Sequence, residues 1–314
     1  MDYGRLPCLT GVDFRLPPDA PATARVLARA AKAPGRLAAA RVFIGAPTFA
    51  HKEWVGTYYP AGTRDADYLR HYARQWPALE LNSTHYGLPA AATVARWVAA
   101  TPAAENRYFR FCPKLPQRIS HELALTAVSD PDVREFGRWL ALLRPERVGM
   151  PFVQLPPTLG PDALPMLERF LLFYKEAVGG ELAVELRHPL WFASPLAREE
   201  VFNLLEALNV TAVISDTAGR RDAVHQRLTT PTAFLRFNAH SLAPTDYTRA
   251  DEWAERLADW LRAGLHTAYV FIHQKDPRHT PVLARYLAEQ LQARTGQLVA
   301  APRPVAGAVQ GSLF

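Results

Sequence analysis

From Arg41 onward the chain alternates between two patterns of apolar positions. Short runs rich in β-branched and aromatic residues occur at 41–46, 78–82, 107–112, 148–154, 181–187, 210–215, 233–238 and 267–273. Between them lie longer stretches in which apolar residues return every third or fourth position. Examples are Tyr68, Leu69, Tyr72 and Trp76; Leu164, Leu167, Leu171 and Tyr174; and Trp253, Leu257, Trp260 and Leu261. The first pattern is that of buried strands and the second that of amphipathic helices. Eight strands alternating with helices imply parallel pairing through right-handed crossovers, and eight is the number that closes a (β/α)8 TIM barrel. A doubly wound open sheet is the competing α/β fold, but no glycine-rich phosphate turn follows the first strand, so the barrel is preferred. The sixth unit is the weakest, because 217–228 carries little helical periodicity.

The same pattern divides the chain. Residues 1–40 form an N-terminal extension with an Ala/Arg-rich helical stretch, Ala22 to Ala31, broken at Pro34-Gly35. It is expected to pack on or flank the barrel, with a basic arm for nucleic acid as the alternative. Residues 41–296 form the barrel domain, and 297–314 a Pro/Ala/Gly linker and short tail.

Barrel function gathers at the carboxyl ends of the strands and the loops after them. There the chain carries Glu80, Asn82, Thr84, His85 and Tyr86 after the second run, Lys114 and then His121 after the third, and Gln154 after the fourth. The fifth supplies Glu185, Arg187, His188 and, in the loop, Trp191; the sixth ends at Asp216; the seventh gives Arg236 and Asn238, and the eighth His273. Side chains on a strand alternate with a period of two. Glu80, Asn82 and Thr84 therefore share a face, as do Glu185 and Arg187, Cys112 and Lys114, and Arg236 and Asn238. Leu81, Phe111, Leu186 and Phe237 fall on the opposite faces and suit the layer under the helices.

Composition narrows the class without naming the chemistry. With 49% hydrophobic residues the chain is globular, not disordered. It has no apolar run long enough for a bilayer and no signal-peptide core, so no membrane association is expected and the expected compartment is the cytoplasm. Its two cysteines, Cys8 and Cys112, supply neither a disulfide framework nor a cysteine zinc cluster. The formal charge is +6, and residues 1–40, with six Arg/Lys against three Asp, hold half of that excess. An anionic partner is allowed by this charge but not required by it.

Six stretches in order also match a known family. They are Tyr58-Tyr59-Pro60, Glu80 to Tyr86 (ELNSTHY), Pro113 to His121, Phe152 to Pro157 (FVQLPP), Ala183 to Phe192 (AVELRHPLWF) and Ile214 to Asp222 (ISDTAGRRD). Over 41–295 the chain resembles the DUF72 (YecE-like) family. The resemblance implies a TIM barrel and supplies no reaction.

The chemistry expected at the mouth follows from residue types. Lys114, Arg187 and Arg236 bring three cations together, and arginine matches phosphate or carboxylate in a two-pronged fashion. Asn82, Thr84, Tyr86, Gln154, Trp191, Asn238 and His273 complete the expected substrate contacts, with Trp54, Tyr86 and Trp191 as stacking surfaces. Glu80, Glu185, Asp216, His121 and His188 are the expected acid–base residues. The leading expectation is an enzyme, a hydrolase of phosphoesters, acting on a phosphate-containing substrate that includes nucleic acid. The bland alternative is a set of ion pairs that neutralise one another. A carbohydrate-active hydrolase using Glu80 and Glu185 is a further alternative. No cofactor is identified; a divalent metal is compatible with the residue types, although no metal-ligand spacing is present. Gln310, Leu313 and Phe314 resemble the peptide that binds the bacterial DNA sliding clamp, which gives a third reading, a non-catalytic module held by its tail, against a tail folded back on the barrel. The sequence leaves the oligomeric state open.

Overall fold

The computed structural model describes residues 4–33 and 40–305. Its strands are β1 (Arg41–Ala46), β2 (Ala78–Leu81), β3 (Arg110–Pro113), β4 (Phe152–Gln154), β5 (Ala183–Glu185), β6 (Thr211–Asp216), β7 (Thr232–Asn238) and β8 (Thr267–His273). All neighbours pair in parallel, in the order β3-β2-β1-β8-β7-β6-β5-β4. Bridges from Phe111 to Val148 and from Lys114 to Phe152 bring β3 against β4, so the sheet curls into a nearly closed (β/α)8 barrel. At that seam Gly149 N donates to Phe111 O at 2.7 Å. A Cβ on Gly149 would lie 2.6 Å from Cys112 Sγ, so the close approach of the two strands requires glycine.

The expected bounds of the first and eighth strands coincide with β1 and β8, while β3 starts later than its 107–112 run. There the Asn106 side chain holds a turn, accepting from Tyr108 N and donating to Ala73 O, and the backbone joins the sheet only at Arg110.

The helices are α1 (Pro21–Lys32), α2 (Tyr68–Gln75), α3 (Ala91–Ala100), α4 (Asp130–Ala141), α5 (Leu164–Ala177), α6 (Leu190–Ala193), α7 (Pro195–Ala207), α8 (Pro244–Ala263) and α9 (His279–Thr295). None of the described helices is long and apolar enough to cross a membrane.

Alternation sorts the strands into two cores. Leu81, Phe111, Leu186 and Phe237 pack outward with the helices. Phe43, Ala78, Cys112, Phe152, Ala183, Val213, Phe234, Tyr269 and Phe271 fill the barrel interior. The aromatic groups stack there, Phe234 lying 5.2 Å from Phe271 and 5.3 Å from Phe152. One alternation further along the strands, the interior turns polar.

Between β6 and β7 the chain forms only a short turn of 3-10 helix, Arg221–Ala223, and then runs extended. The helix that covers this part of the barrel comes from the other end of the sequence. α1 buries Thr23, Val26, Leu27 and Ala30 and lies between α7 and α8. Thr23 Oγ1 donates to Gln226 O and accepts from Leu228 N, which pins α1 to the extended segment. Arg29 pairs with Glu206 at the end of α7. Gly264, at φ +125°, lets the turn after α8 pass so close that a Cβ would sit 2.4 Å from Leu27 O. Low periodicity in 217–228 and an amphipathic stretch in 22–31 are thus two halves of one observation.

Candidate functional site at the barrel mouth

The interior residues at the carboxyl ends of the strands form a hydrogen-bonded ring. Arg236 of β7 is at its centre, donating to both oxygens of Glu80 (Nε to Oε2, 3.0 Å; Nη2 to Oε1, 2.8 Å) and to Glu185 Oε2 (2.8 Å). Glu185 Oε1 accepts from Ser215 Oγ at 2.7 Å and pairs with Arg187 at 2.9 Å. Gln154 Nε2 donates to Glu185 Oε2 at 2.6 Å, and Gln154 Oε1 accepts from Lys114 Nζ at 2.9 Å. On the β2 side Asn82 Nδ2 donates to Glu80 Oε1 at 2.8 Å, and His273 Nε2 lies 3.2 Å from Glu80 Oε2.

Burial alone would raise both carboxyl groups, but their cations outweigh it. Arg187 and Arg236 hold Glu185 at about 2. Arg236 and His273 hold Glu80 well below the usual carboxylate range. Burial lowers His273 in spite of its carboxylate neighbour, so the imidazole tends to the neutral form.

Lys114 differs from the two arginines. The residue is 1% exposed, and among the described residues its hydrogen-bonding acceptor is an amide oxygen and no carboxylate lies within ion-pair distance. Burial, and then the charge of Arg236, push it down to about 8, against the pull of Glu185 and Glu80. Two histidines feel its charge. His85 donates through Nδ1 to Leu115 O at 3.1 Å and is driven down to about 4 by burial and by Lys114. His121, its ring 5.0 Å from that of His85, is lowered by burial, Lys114 and Arg187.

The ring therefore gathers Glu80, Asn82, Lys114, Gln154, Glu185, Arg187, Arg236 and His273, with His121 beside Lys114. Asn238 ends β7, half-buried on the face of Arg236. Tyr86 projects from the mouth, 76% exposed and edge-on to His85.

Other expected site residues are elsewhere. Asp216 points out of the barrel into the helix layer, because it is one residue past the inward Ser215. There it accepts from Arg249 Nη2 and Trp253 Nε1, both at 2.7 Å, and pairs with Arg221. Thr84 is not on a strand; it sits in a 3-10 turn and its hydroxyl is tied to Leu81 O and Lys114 O. Trp191 is fully buried with its indole N–H on Leu159 O, and Trp54 is buried with its N–H on Pro277 O, so neither offers a stacking face. His188 accepts from Leu190 N at 3.1 Å, capping the short α6, with its ring against Gly160. Gln310, Leu313 and Phe314 lie outside the described residues. Among the described residues no three His, Cys, Asp or Glu side chains gather as a metal site.

Two members of the site, Ser215 and His85, were not among the expected functional residues. Alternation along β6, applied strictly from Val213, places Ser215 inward. His85 carries no comparable signal, since the turn that carries it has no period.

Comparison with known proteins agrees with this architecture. The model of the family "Protein of unknown function DUF72" matches residues 43–307. The UPF0759 protein YecE of Escherichia coli K12 is 33% identical over 297 residues, covering 87% of this chain and all of the relative. A DUF72 family protein from Enterococcus faecalis is similar in structure, with TM-score 0.61 at 18% identity over 82% of this chain and 98% of that one. A second, from Thermotoga maritima, gives TM-score 0.58 at 23% identity over 82% of this chain and all of that one.

Proposed function

Because the chain belongs to the DUF72 family of unknown function, which brings a fold and no reaction, we propose its function from the site: an enzyme that binds a small anionic group, phosphate or carboxylate, at Lys114 in the barrel mouth. The observation that carries this reading is the coordination of Lys114. Both mouth carboxylates are committed to arginines, while among the described residues the lysine ammonium donates to the amide oxygen of Gln154 alone. A buried cation whose nearby carboxylates are already paired with arginines still costs up to several kcal/mol. A fold that needed only ion pairs at this end could carry an apolar residue at that position. An anionic substrate supplies the missing charge at the point where the strands converge.

The carbohydrate reading is less well supported. Glycoside hydrolysis needs one protonated carboxyl group to act as acid. Glu80 and Glu185 share Arg236 and are both held ionised.

Titration calorimetry with inorganic phosphate and with small carboxylates tests the proposal. Saturable binding is expected for the wild type at pH 7, with a loss of about tenfold or more in Lys114→Met, roughly the worth of one charge-assisted contact. Absence of binding, or binding that survives the substitution unchanged, overturns it.

A further inference from the structure

An ammonium group has three N–H donors, whereas a protonated imine nitrogen has one. Among the described residues Lys114 Nζ has one acceptor, Gln154 Oε1, at 2.9 Å. Its surroundings are also built around a positive charge, with Glu80 and Glu185 in the same ring and both held ionised. We infer that Lys114 is a covalent catalytic residue, whose amine forms an imine with the carbonyl carbon of a small oxo acid or phosphorylated aldehyde or ketone. The inference rests on the anion-binding reading of the same site and narrows its substrate class to anions that also carry a carbonyl.

The step balances without an external reagent. The ammonium first gives a proton to a neighbouring base, and the free amine adds to the carbonyl carbon. The carbonyl oxygen takes up two protons and leaves as water, so that one ammonium and one carbonyl give one protonated imine and one water. Charge at the nitrogen is +1 before and after, so the ring of Glu80, Glu185, Arg187 and Arg236 has no new charge to accommodate. The single remaining N–H keeps the contact with Gln154 Oε1. Buried lysines are suited to this role because desolvation frees the amine near neutral pH, and Lys114 is pushed down to about 8. His121 and His85, both lowered by the charge of Lys114 among other causes, are the neutral bases nearby that can take and return the proton.

Borohydride trapping decides the matter. The full-length protein is incubated at pH 8 with glyoxylate, pyruvate or glyceraldehyde 3-phosphate, reduced with sodium borohydride, and mapped by peptide mass spectrometry. The expected result is a secondary-amine adduct on Lys114, favoured on the order of tenfold over each other lysine and dependent on both reagents. Lys114→Arg is expected to keep phosphate binding and lose the adduct. Labelling spread evenly over the lysines, or none, with phosphate binding that still depends on Lys114, overturns the imine and leaves anion binding standing. Loss of both in the wild type overturns the two together.

Discussion

Two buried polar networks lie back to back at the carboxyl end of this barrel, one inside the sheet and one outside it. The outer network joins Asp216 of β6 to α8. Arg249 donates to Asp216, to the Asn238 carbonyl and to Asp246, whose oxygens also accept from His240 N at 2.9 and 2.8 Å. Phe14 and Phe237 cover the guanidinium, 4.9 and 4.3 Å from their ring centres. Each charge there lies in an ion pair with an opposite charge and is hydrogen-bonded as well. The inner network uses the same residue types, but Lys114 is left with an amide as its partner. Saturation marks the outer network as a strut that fastens α8 to the sheet. In the inner one the unmatched cation is the position at which we propose that an anion binds. Buried charge alone does not distinguish the two; the completeness of its pairing does.

The largest effect that separates them is expected from Arg249→Met. It leaves Asp246 buried without a cation and Asp216 with Arg221 alone, and urea denaturation is expected to show a loss of about 3–5 kcal/mol. Phosphate affinity at the mouth is expected to change little. A loss confined to affinity would reverse the assignment of the two networks.

Lys114→Met is expected to act in the opposite sense on stability. The unfolded chain holds the lysine proton up to its ordinary value of 10.5 and the folded chain only up to about 8. Below about pH 8 the full burden is present, and it fades as pH rises from about 8 to 10.5. Removing the ammonium is therefore expected to stabilise the protein by about 1–3 kcal/mol at pH 7, less whatever Gln154 loses, and the gain should vanish towards pH 10.5. Thermal unfolding across that range measures it. Destabilisation of Lys114→Met at pH 7 would mean that the lysine is structural, like Arg249.

The same titration predicts how the wild type responds to pH. Anion binding needs the ammonium, so affinity is expected to be half lost near pH 8 and to fall about tenfold per unit above it. A profile flat to pH 10 would place the binding charge on an arginine. The smallest effect is expected at the rim. Tyr86→Ser removes an exposed ring, and unfolding free energy should stay within about 0.5 kcal/mol; any change in affinity then reports a direct contact with ligand.

Much of this was legible in the sequence, for a physical reason. Strand alternation and helical periodicity are enforced at every residue by burial, so the eight β/α units and the inward set Glu80, Lys114, Glu185 and Arg236 could be read directly. Errors came where period gives out. Asp216 is polar and ends a strand, which suggested the mouth, but it is one position out of phase and faces α8. Trp191 lies on the four-residue α6 and Thr84 on a 3-10 turn, segments too short for a period to say which way a side chain points. The pairing of Lys114 with Gln154 instead of a carboxylate depends on how β3 meets β4, and that is a property of the curled sheet.

The helix α1 has a consequence for how the chain is made. It leaves the ribosome before any strand, yet the surfaces it covers, Glu206, Gln226 to Leu228 and Gly264, are synthesised roughly two hundred residues later. Contacts so far apart in sequence slow folding. During translation, the apolar face of Val26, Leu27 and Ala30 has no native partner until α8 is complete. A helix made before the eight strands thus waits for an element made after seven of them, and until then its apolar face is an exposed, aggregation-prone surface on the nascent chain.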